Sequence, residues 1–119
     1  MLNETKEIVI DGIPYVPKTN TPELDGMKYC IVRTNSAGVF AGYIESMSGQ
    51  EVVIRQARRI WYWEGAASLS QLAMSGTNKP KECKFPEEVG RLIVTEAIEI
   101  LECTEVAQKS IQEVSVWKA

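Results

Sequence analysis

Apolar residues in the first half of the chain alternate with polar ones, which is the spacing of β-strands. The alternation runs through 29–34 and 39–46 and then through a long stretch, 51–63. The short turn sequences NSAG, at 35–38, and MSGQ separate the three segments, and such turns join antiparallel neighbours. The pattern therefore predicts a three-stranded meander, whose long third strand bends or bulges near Gln56–Ala57.

A helical period replaces the alternation after the third strand. Ser68 is suited to cap the start of a short helix, with Gln71 three residues later and Gly76 beyond its end. Residues 89–103 are ambiguous, but their alternation and their β-branched side chains favour a strand. Thr104 can cap a second short helix, which the sequence EVSVW would follow as a terminal strand.

The N-terminal residues form a separate pattern. Residues 7–17 predict a hairpin, because apolar positions flank the pair Asp11–Gly12, which suits a type I′ turn. The polar stretch that follows is typical of a linker, so we expect a hairpin and linker over 1–27 and the main domain over 28–119. The predicted fold is mainly β (α+β): an antiparallel, Greek-key-like sheet or partial barrel decorated with two short helices, with the N-terminal hairpin as an appendage.

Composition narrows the chemistry of the chain. Its 119 residues suffice for one modest core, and 45% of them are apolar and 24% charged, as in ordinary globular proteins. The net charge of −3 argues against a general binder of nucleic acid, so any anion site must be local. No apolar stretch reaches the roughly 20 residues of a membrane span, and the N-terminus has no secretory pattern, which predicts a cytoplasmic protein.

The chain lacks the residue type that serves most often as a general base. The sequence has no histidine, which removes the usual general base and the commonest metal ligand. Its three cysteines, Cys30, Cys83 and Cys103, are widely spaced and form no C-x-x-C pair, so they support neither a zinc ribbon nor a redox motif. We expect free thiols, no metal, no cofactor and no enzymatic activity.

The sequence RRIWYW, at 58–63, concentrates planar cations and rings on an acidic chain. On a strand, Arg59 and Trp61 would share one side and Arg58 would face the other. A guanidinium beside a ring suits a nucleotide, because the cation binds phosphate and the ring stacks on the base. The alternative is a core strand, in which a tryptophan fills the interior and an arginine extends its head group to water.

Two further segments carry candidate ligand contacts. The turn RTNSAG, at 33–38, offers Arg33, the hydroxyl of Ser36 and backbone N–H groups that can surround an anion, although an ordinary hairpin turn has the same composition. Phe85 stands in a polar loop between a lysine and a proline, where it either plugs the core or covers a pocket. The proline stiffens the loop, which would hold such a cover in place.

Several of these segments together resemble one known family. The strings YCIVRTNSAGVFAGYIES, VVIRQARRIWYWEGAASLSQLAMSG, CKFPEEV and TEAIEIL, all between residues 28 and 117, look like the Thoeris anti-defence sponges of phages. Proteins of that family capture the cyclic ADP-ribose isomer that bacterial TIR enzymes make. The resemblance implies a phage- or prophage-encoded binder that acts in the bacterial cytoplasm and does not degrade its ligand.

The resemblance also implies how the ligand is held. The family forms homodimers, which can associate further, and it binds the intact signal at the subunit interface; separate sites can hold cyclic oligonucleotides. Arginines bind the phosphates and a loop aromatic meets the base. The candidate contacts in this chain are Arg33, Ser36, Arg58, Arg59, Trp61, Phe85 and Thr95. Thr95 departs from the family pattern, in which an amide side chain is expected near that point.

Two other functions fit the same residues. RRIWYW could be a subunit contact in a structural or adaptor protein of a phage particle. Its rings could instead bind single-stranded nucleic acid weakly, in which case affinity would fall steeply with salt because many phosphates are contacted.

Overall fold

The computed structural model describes residues 23–118, together with the backbone of two short strands nearer the N-terminus. Its elements, in chain order, are β1 (Ile8–Ile10), β2 (Ile13–Tyr15), β3 (Glu23–Leu24), β4 (Met27–Thr34), β5 (Val39–Ser48), β6 (Glu51–Arg59), α1 (Leu69–Ser75), a single 3-10 turn (Pro80–Glu82), β7 (Val89–Val94), β8 (Ala97–Glu102) and α2 (Glu105–Glu113). The predicted class, a mainly antiparallel β fold with two short helices, is confirmed.

The two strands of the N-terminal hairpin are present, and residues 23–27, which were expected to belong to the linker, form a further hairpin with β4. β1 and β2 pair antiparallel, with Ile8 opposite Tyr15. The expected turn, Asp11–Gly12, lies outside the described residues. The linker prediction is wrong at its C-terminal end, because β3 pairs with the start of β4 around Asp25–Gly26. Both turn residues have positive φ, 52° and 82°, as a type I′ turn requires.

β4, β5 and β6 form the predicted antiparallel meander, and the predicted bulge lies in β6. At the middle of the β5–β6 pair, Gly42 alone lies opposite Gln56 and Ala57, so the pairing shifts. Gln56 has a left-handed φ of 52°, which marks the bulge. Gly42 must be small, because a Cβ atom there would lie 2.5 Å from Cγ2 of Ile54.

The bulged β5–β6 hairpin folds back over the rest of the sheet. Val94 of β7 pairs with Val52, near the β5–β6 turn, whereas Ala97 of β8 pairs with Thr34 at the far end of β4. In a flat sheet, the Val52–Val94 pair and the Thr34–Ala97 pair would be about 26 Å apart along the strand direction. The chain passes from Val94 to Ala97 in three steps, which span at most about 11 Å. The sheet must therefore curl.

Hydrogen bonds at the tip of the hairpin close the curled sheet. The Ala97 N–H donates to the Gln50 carbonyl at 3.0 Å, and Gln50 Nε2 donates to the Ala97 carbonyl at 3.3 Å. β8 returns to lie beside β4, which gives the Greek-key-like order. The result is a partly closed antiparallel barrel.

Alternate residues of each strand point to opposite sides of the sheet, and apolar side chains are buried on both sides. The barrel interior contains Val32, Phe40, Val52, Ile54, Ala57, Val94 and Ala97. The outer side, which we call the helix-covered face, packs under α1 and α2 through Tyr29, Ile31, Ala41, Tyr43, Ile60, Leu72, Ala73, Cys83, Phe85, Cys103, Ala107, Ile111 and Val114. A single sheet thus serves two apolar cores.

Both helices begin where the sequence predicts, and α1 also ends there. The Ser68 hydroxyl accepts a hydrogen bond from the Gln71 N–H at 3.2 Å, and the Thr104 hydroxyl accepts one from the Ala107 N–H at 3.1 Å. Gly76, with φ of 75°, ends α1. These caps satisfy backbone groups that a short helix leaves without intrahelical partners.

Three strand predictions are wrong in part. Residues 89–103 form two strands, β7 and β8, because the chain turns at Thr95–Glu96 and crosses from one edge of the sheet to the other. β6 ends at Arg59 instead of extending through RRIWYW. The expected terminal strand makes only a single parallel bridge, between Val116 and Phe85. Apolar alternation depends on consecutive residues alone. It therefore does not show where a strand stops pairing with the adjacent strand.

All three cysteines are free and buried, as predicted. Loss of hydration is the main reason that the pKa of the Cys30 thiol and that of the Cys103 thiol are each raised to about 12. Both side chains therefore stay protonated near neutral pH, where a neutral thiol is a poor nucleophile.

Candidate ligand-binding site

The predicted contact residues lie in two separate places. A first group surrounds the turn between β4 and β5; we call it the turn-end site, and it consists of Arg33, Ser36, Arg59, Trp61 and Thr95. Within this group, Arg33 is on the helix-covered side of the sheet, opposite Val39, whereas Arg59 is on the barrel side, opposite Phe40. A second pair, Arg58 and Phe85, lies on the helix-covered face. Adjacent arginines are separated in this way because they point to opposite sides of β6.

Thr34 closes the β4–β5 turn. Its N–H and its hydroxyl both donate to the Gly38 carbonyl, at 3.0 and 2.7 Å, and the hydroxyl accepts from the Ala37 N–H at 2.9 Å. The Asn35 N–H donates to the Glu96 carbonyl at 2.9 Å. Because these N–H groups are engaged, the turn resembles an ordinary hairpin turn more than an anion-binding concavity. Attraction for an anion must come from the arginine side chains.

Arg59 lies at the mouth of the barrel, and among residues 23–118 it makes one side-chain hydrogen bond. Its Cζ atom is 4.4 Å from the centroid of the Phe40 ring, and Nη1 donates to the Ala37 carbonyl at 2.6 Å. A guanidinium has five N–H donors. No carboxylate lies within ion-pair distance of this one among residues 23–118. Arg59 is therefore the turn-end residue best suited to receive a phosphate.

Arg33 and Ser36 each have an acidic partner. Arg33 Nε lies 2.9 Å from Oε1 of Glu99, in a pair whose side chains are 46% and 45% exposed. The Ser36 hydroxyl donates to the Glu96 carboxylate. An exposed ion pair contributes at most about 1 kcal/mol, so an anion with concentrated charge can compete for Arg33.

Trp61 and Thr95 add a ring and a hydroxyl to the turn-end site. The Ile60 N–H donates to the Val39 carbonyl at 2.8 Å and keeps the chain beside β5 just before the tryptophan. Trp61 is 63% exposed, an unusually large exposed ring. Thr95 is exposed at the bend next to Glu96. The ring is available for stacking, two residues from the Arg59 guanidinium.

Arg58 is buried and bonded to backbone carbonyls. It is 4% exposed, and it donates at 3.1 Å to each of the carbonyls of Phe85, Pro86 and Ile111. No carboxylate forms an ion pair with it in the described part of the chain. The guanidinium joins the last turn of α2 to the loop before β7, where a cation also suits the negative end of a helix. A ligand contact by Arg58 stays a prediction, but this conformation leaves it no open side.

Phe85 lies in the helix-covered core with 0% exposure, and the Arg58 Cζ atom is 5.6 Å from its ring centroid. Of the two alternatives for this loop residue, the structure therefore favours the core plug. A ligand could reach the ring only if the loop moved.

Sequence reasoning missed a third group, in which a lysine lies between two exposed rings. Tyr62 and Lys84 pair antiparallel, and the Trp117 N–H donates to the Phe85 carbonyl at 3.0 Å. Lys84 Nζ lies 5.7 Å from the Tyr62 ring centroid and 5.6 Å from the Trp117 ring. We call Tyr62, Lys84 and Trp117 the ring–lysine row. Its members are far apart in the chain, so no spacing could have linked them.

Within the part of the chain that the structure describes, no three potential metal ligands are grouped together. Among the same residues, no helix has the length and apolar character needed to cross a membrane.

The fold is a partly closed barrel with a helical cover, and the chain belongs to a known domain family. It matches a domain of unknown function, DUF6948, over residues 27–111. The matched span starts at the first residue of β4 and ends within α2, so it includes the barrel, the turn-end site and Arg58. No curated protein and no solved structure matches the chain.

Proposed function

We propose that this protein binds a cyclic ADP-ribose-type signal and holds it without degrading it. The protein would be phage- or prophage-encoded, would act in the bacterial cytoplasm, and would deprive TIR-dependent immunity of its messenger. The observation that carries the proposal is the free guanidinium of Arg59, which rests on a ring and has no acidic partner within residues 23–118. Such a cation near an exposed tryptophan suits a ligand with both phosphate and base.

Each residue of the turn-end site has a distinct role in this proposal. Arg59 binds the diphosphate directly. Arg33 projects from the opposite side of the sheet, so it would contact the ligand only around the end of the β4–β5 turn, after the ligand displaces Glu99. Trp61 stacks on the adenine, and the hydroxyls of Ser36 and Thr95 bind ribose or phosphate oxygens. The neighbouring carboxylates favour a compact diphosphate over a long polyanion, because repulsion accumulates along a chain of phosphates.

Sequestration without turnover is supported by the residue types at the site. Guanidinium, indole and hydroxyl groups bind a nucleotide, but the site offers no histidine and no activated nucleophile. A protein that sequesters its ligand needs tight binding and enough copies, but it does not need turnover. A protein with these groups can therefore remove one ligand molecule per site.

The assembly belongs to the same proposal. We expect a homodimer, or a higher homo-oligomer, with the ligand near the subunit interface and with cyclic oligonucleotides held at separate sites if they bind. Exposed strand edges and exposed rings on a small protein support self-association.

A release experiment tests capture against catalysis. The protein is incubated with the cyclic ADP-ribose isomer that a TIR enzyme makes, washed, heated, and the released nucleotide is identified by mass spectrometry. We expect intact cyclic ligand in at most one equivalent per site. Linear product in many equivalents per protein would show an enzyme instead.

A matched pair of variants tests the turn-end site. Arg59→Ala removes a charge-assisted contact to phosphate, which contributes about 1.5–3 kcal/mol and so weakens binding roughly 10- to 150-fold. Arg55→Ala is the control, since Arg55 is an exposed arginine on the same strand, paired with Glu45. Calorimetric titration that finds equal losses for both variants would place the ligand elsewhere.

A contact in a phage structural or adaptor protein is the second candidate. The ring–lysine row favours it, because three exposed side chains with large apolar surfaces lie together there. If the purified protein binds no nucleotide but associates with another phage protein, this function replaces the first.

A further inference from the structure

A small cleft lies on the barrel side of the sheet, at the opposite end of β4 from the turn-end site. It has a volume of about 220 Å³ and lies over the start of β4, between β5 and β8. We call it the β4 cleft. Lys28, which lines it, and Thr34, which closes the β4–β5 turn, are six residues apart, or about 20 Å along a strand. The cleft is therefore separate from the turn-end site.

The register of the sheet brings the lining side chains to one side. Cys30 is two residues from Val32, which lies in the barrel interior, and it is opposite Glu102 of β8. Ile100 is opposite Val32 in the same pair of strands. Lys28 is two residues from Cys30, so it also projects from the barrel side. Two charged residues and an apolar floor thus share one cleft.

The floor and the walls of the β4 cleft are mainly apolar. Cys30 is 3% exposed, and a buried free cysteine behaves as a small apolar group. Ile44 and Ile100 pack half-buried against the barrel interior, and the flexible side chain of Met47, 56% exposed, borders the opening. The volume is below the range for drug-sized ligands, so the cleft suits a short aliphatic group.

Two opposite charges lie beside this apolar floor. Lys28 Nζ is 3.2 Å from Oε2 of Glu102, and the two side chains are 49% and 54% exposed. Burial raises the pKa of the Cys30 thiol most, but Glu102 also raises it and Lys28 lowers it, so both charges act at the floor. An exposed pair of this kind holds its partners weakly. Each member can therefore accept a second, opposite charge from a ligand.

A ligand that matches the β4 cleft needs both charges next to an aliphatic group. The carboxylate of an α-amino acid would bind Lys28, its ammonium would bind Glu102, and its side chain would lie over Cys30. A fatty acid would bring its carboxylate close to Glu102, and an aliphatic amine would bring its ammonium close to Lys28, and like charges repel. Each terminus of a peptide carries only one of the two groups. We propose that the β4 cleft binds a free α-amino acid with an aliphatic side chain of about the size of leucine.

Titration of the full chain with L-leucine, followed by ¹H–¹⁵N correlation spectra, tests the site without any nucleotide. We expect saturable shifts at the amides around Cys30 and Ile100 but not at Ser36 or Arg59, with a dissociation constant on the order of 1 mM. The result does not depend on whether the turn-end site binds cyclic ADP-ribose.

Two matched probes test the need for both charges. 4-Methylpentanoate is leucine without its ammonium group, and isopentylamine is leucine without its carboxylate. Each should bind at least about tenfold more weakly than leucine, because it loses one charge-assisted contact. Either probe binding as tightly as leucine would contradict an amino-acid site.

Variants of the charged pair locate the contact. Lys28→Gln and Glu102→Gln should each weaken leucine binding about tenfold. Arg91→Gln is the control, because Arg91 also belongs to an exposed ion pair, with Glu45, but does not line the cleft. Its leucine affinity should be that of the unchanged protein.

A change at the floor tests the aliphatic part of the ligand. Cys30→Met should fill the cleft and abolish leucine binding, whereas Cys30→Ala should retain it; thermal unfolding shows whether each variant keeps its fold. If Cys30→Met does not fold, the Lys28 and Glu102 variants decide the outcome. The proposal is overturned if leucine causes no saturable shifts up to about ten times the expected dissociation constant, where a site would be about 90% occupied. Binding that survives both glutamine variants, or a folded Cys30→Met variant, also overturns it.

Discussion

Arg58 and Arg59 are neighbours in the chain, yet they belong to regions with opposite properties. The first lies under the helices, where three carbonyls at 3.1 Å surround its guanidinium. The second lies at the mouth of the barrel, over Phe40, and within residues 23–118 its side chain makes one hydrogen bond, to a backbone carbonyl. One region uses the cation to hold the protein together, and the other leaves it available to a ligand.

The difference shows that environment determines what an arginine does. Loss of hydration lowers the pKa of the Arg58 guanidinium, but arginine remains charged in proteins, so the buried charge must be compensated. Carbonyl dipoles from the end of α2 and from the Phe85 loop provide that compensation. In the described part of the chain, Arg59 bonds to one carbonyl, that of Ala37, and its side chain is only partly buried.

The largest effect should come from the ring beside Arg58. Phe85→Ala should cost about 3–5 kcal/mol of unfolding free energy, because the buried ring leaves a cavity. Phe85→Leu, which keeps most of the volume, should cost less than about 1.5 kcal/mol. Urea unfolding followed by circular dichroism measures both. An alanine variant that keeps its stability but loses ligand would show that Phe85 covers a pocket after all.

The second largest effect should come from replacing each arginine by lysine, because the two variants should lose different amounts of unfolding free energy. Arg58→Lys keeps the charge but cannot reach three carbonyls, so we expect a loss of about 2–3 kcal/mol. Arg59→Lys, the matched control, should change stability by less than about 0.5 kcal/mol. Equal losses in urea unfolding would mean that burial is not what distinguishes them.

A third test addresses the bend that brings the two regions onto one sheet. Gly42→Ala should cost about 1–3 kcal/mol, since the new methyl group would meet Ile54 Cγ2 at 2.5 Å and the Arg55 carbonyl oxygen at 2.8 Å. Gly90→Ala is the control, because nothing lies within 4 Å of a Cβ atom there. Differential scanning calorimetry should show a lower melting temperature for the first variant alone.

The features that the sequence predicted correctly are those that depend on neighbouring residues. Strands β4 to β6, the bulge at Gln56 and the caps at Ser68 and Thr104 follow from alternation, turn chemistry and local hydrogen bonds. The break at Thr95–Glu96 and the early end of β6 do not, because both depend on which edge of the sheet the next segment joins.

The candidate site was predictable to a similar extent. Arg33 and Ser36 belong to one turn, so their proximity was visible in the sequence. The carboxylates that bind them, Glu99 and Glu96, come from β8 and the bend before it, and they are brought close only by the curl of the sheet. Which of two adjacent arginines is buried depends on the helices that cover one face.

The smallest effect concerns the ion pair that a ligand would have to displace. Arg33→Gln should cost at most about 1 kcal/mol of unfolding free energy, because both partners are nearly half exposed. That cost should shrink in 1 M NaCl, where exposed charges are screened over about 3 Å. The same salt should leave the loss caused by Arg58→Lys almost unchanged, since its carbonyl partners are buried. Urea unfolding at low and high salt measures both differences; if salt reduces them alike, the two regions do not differ in their access to water.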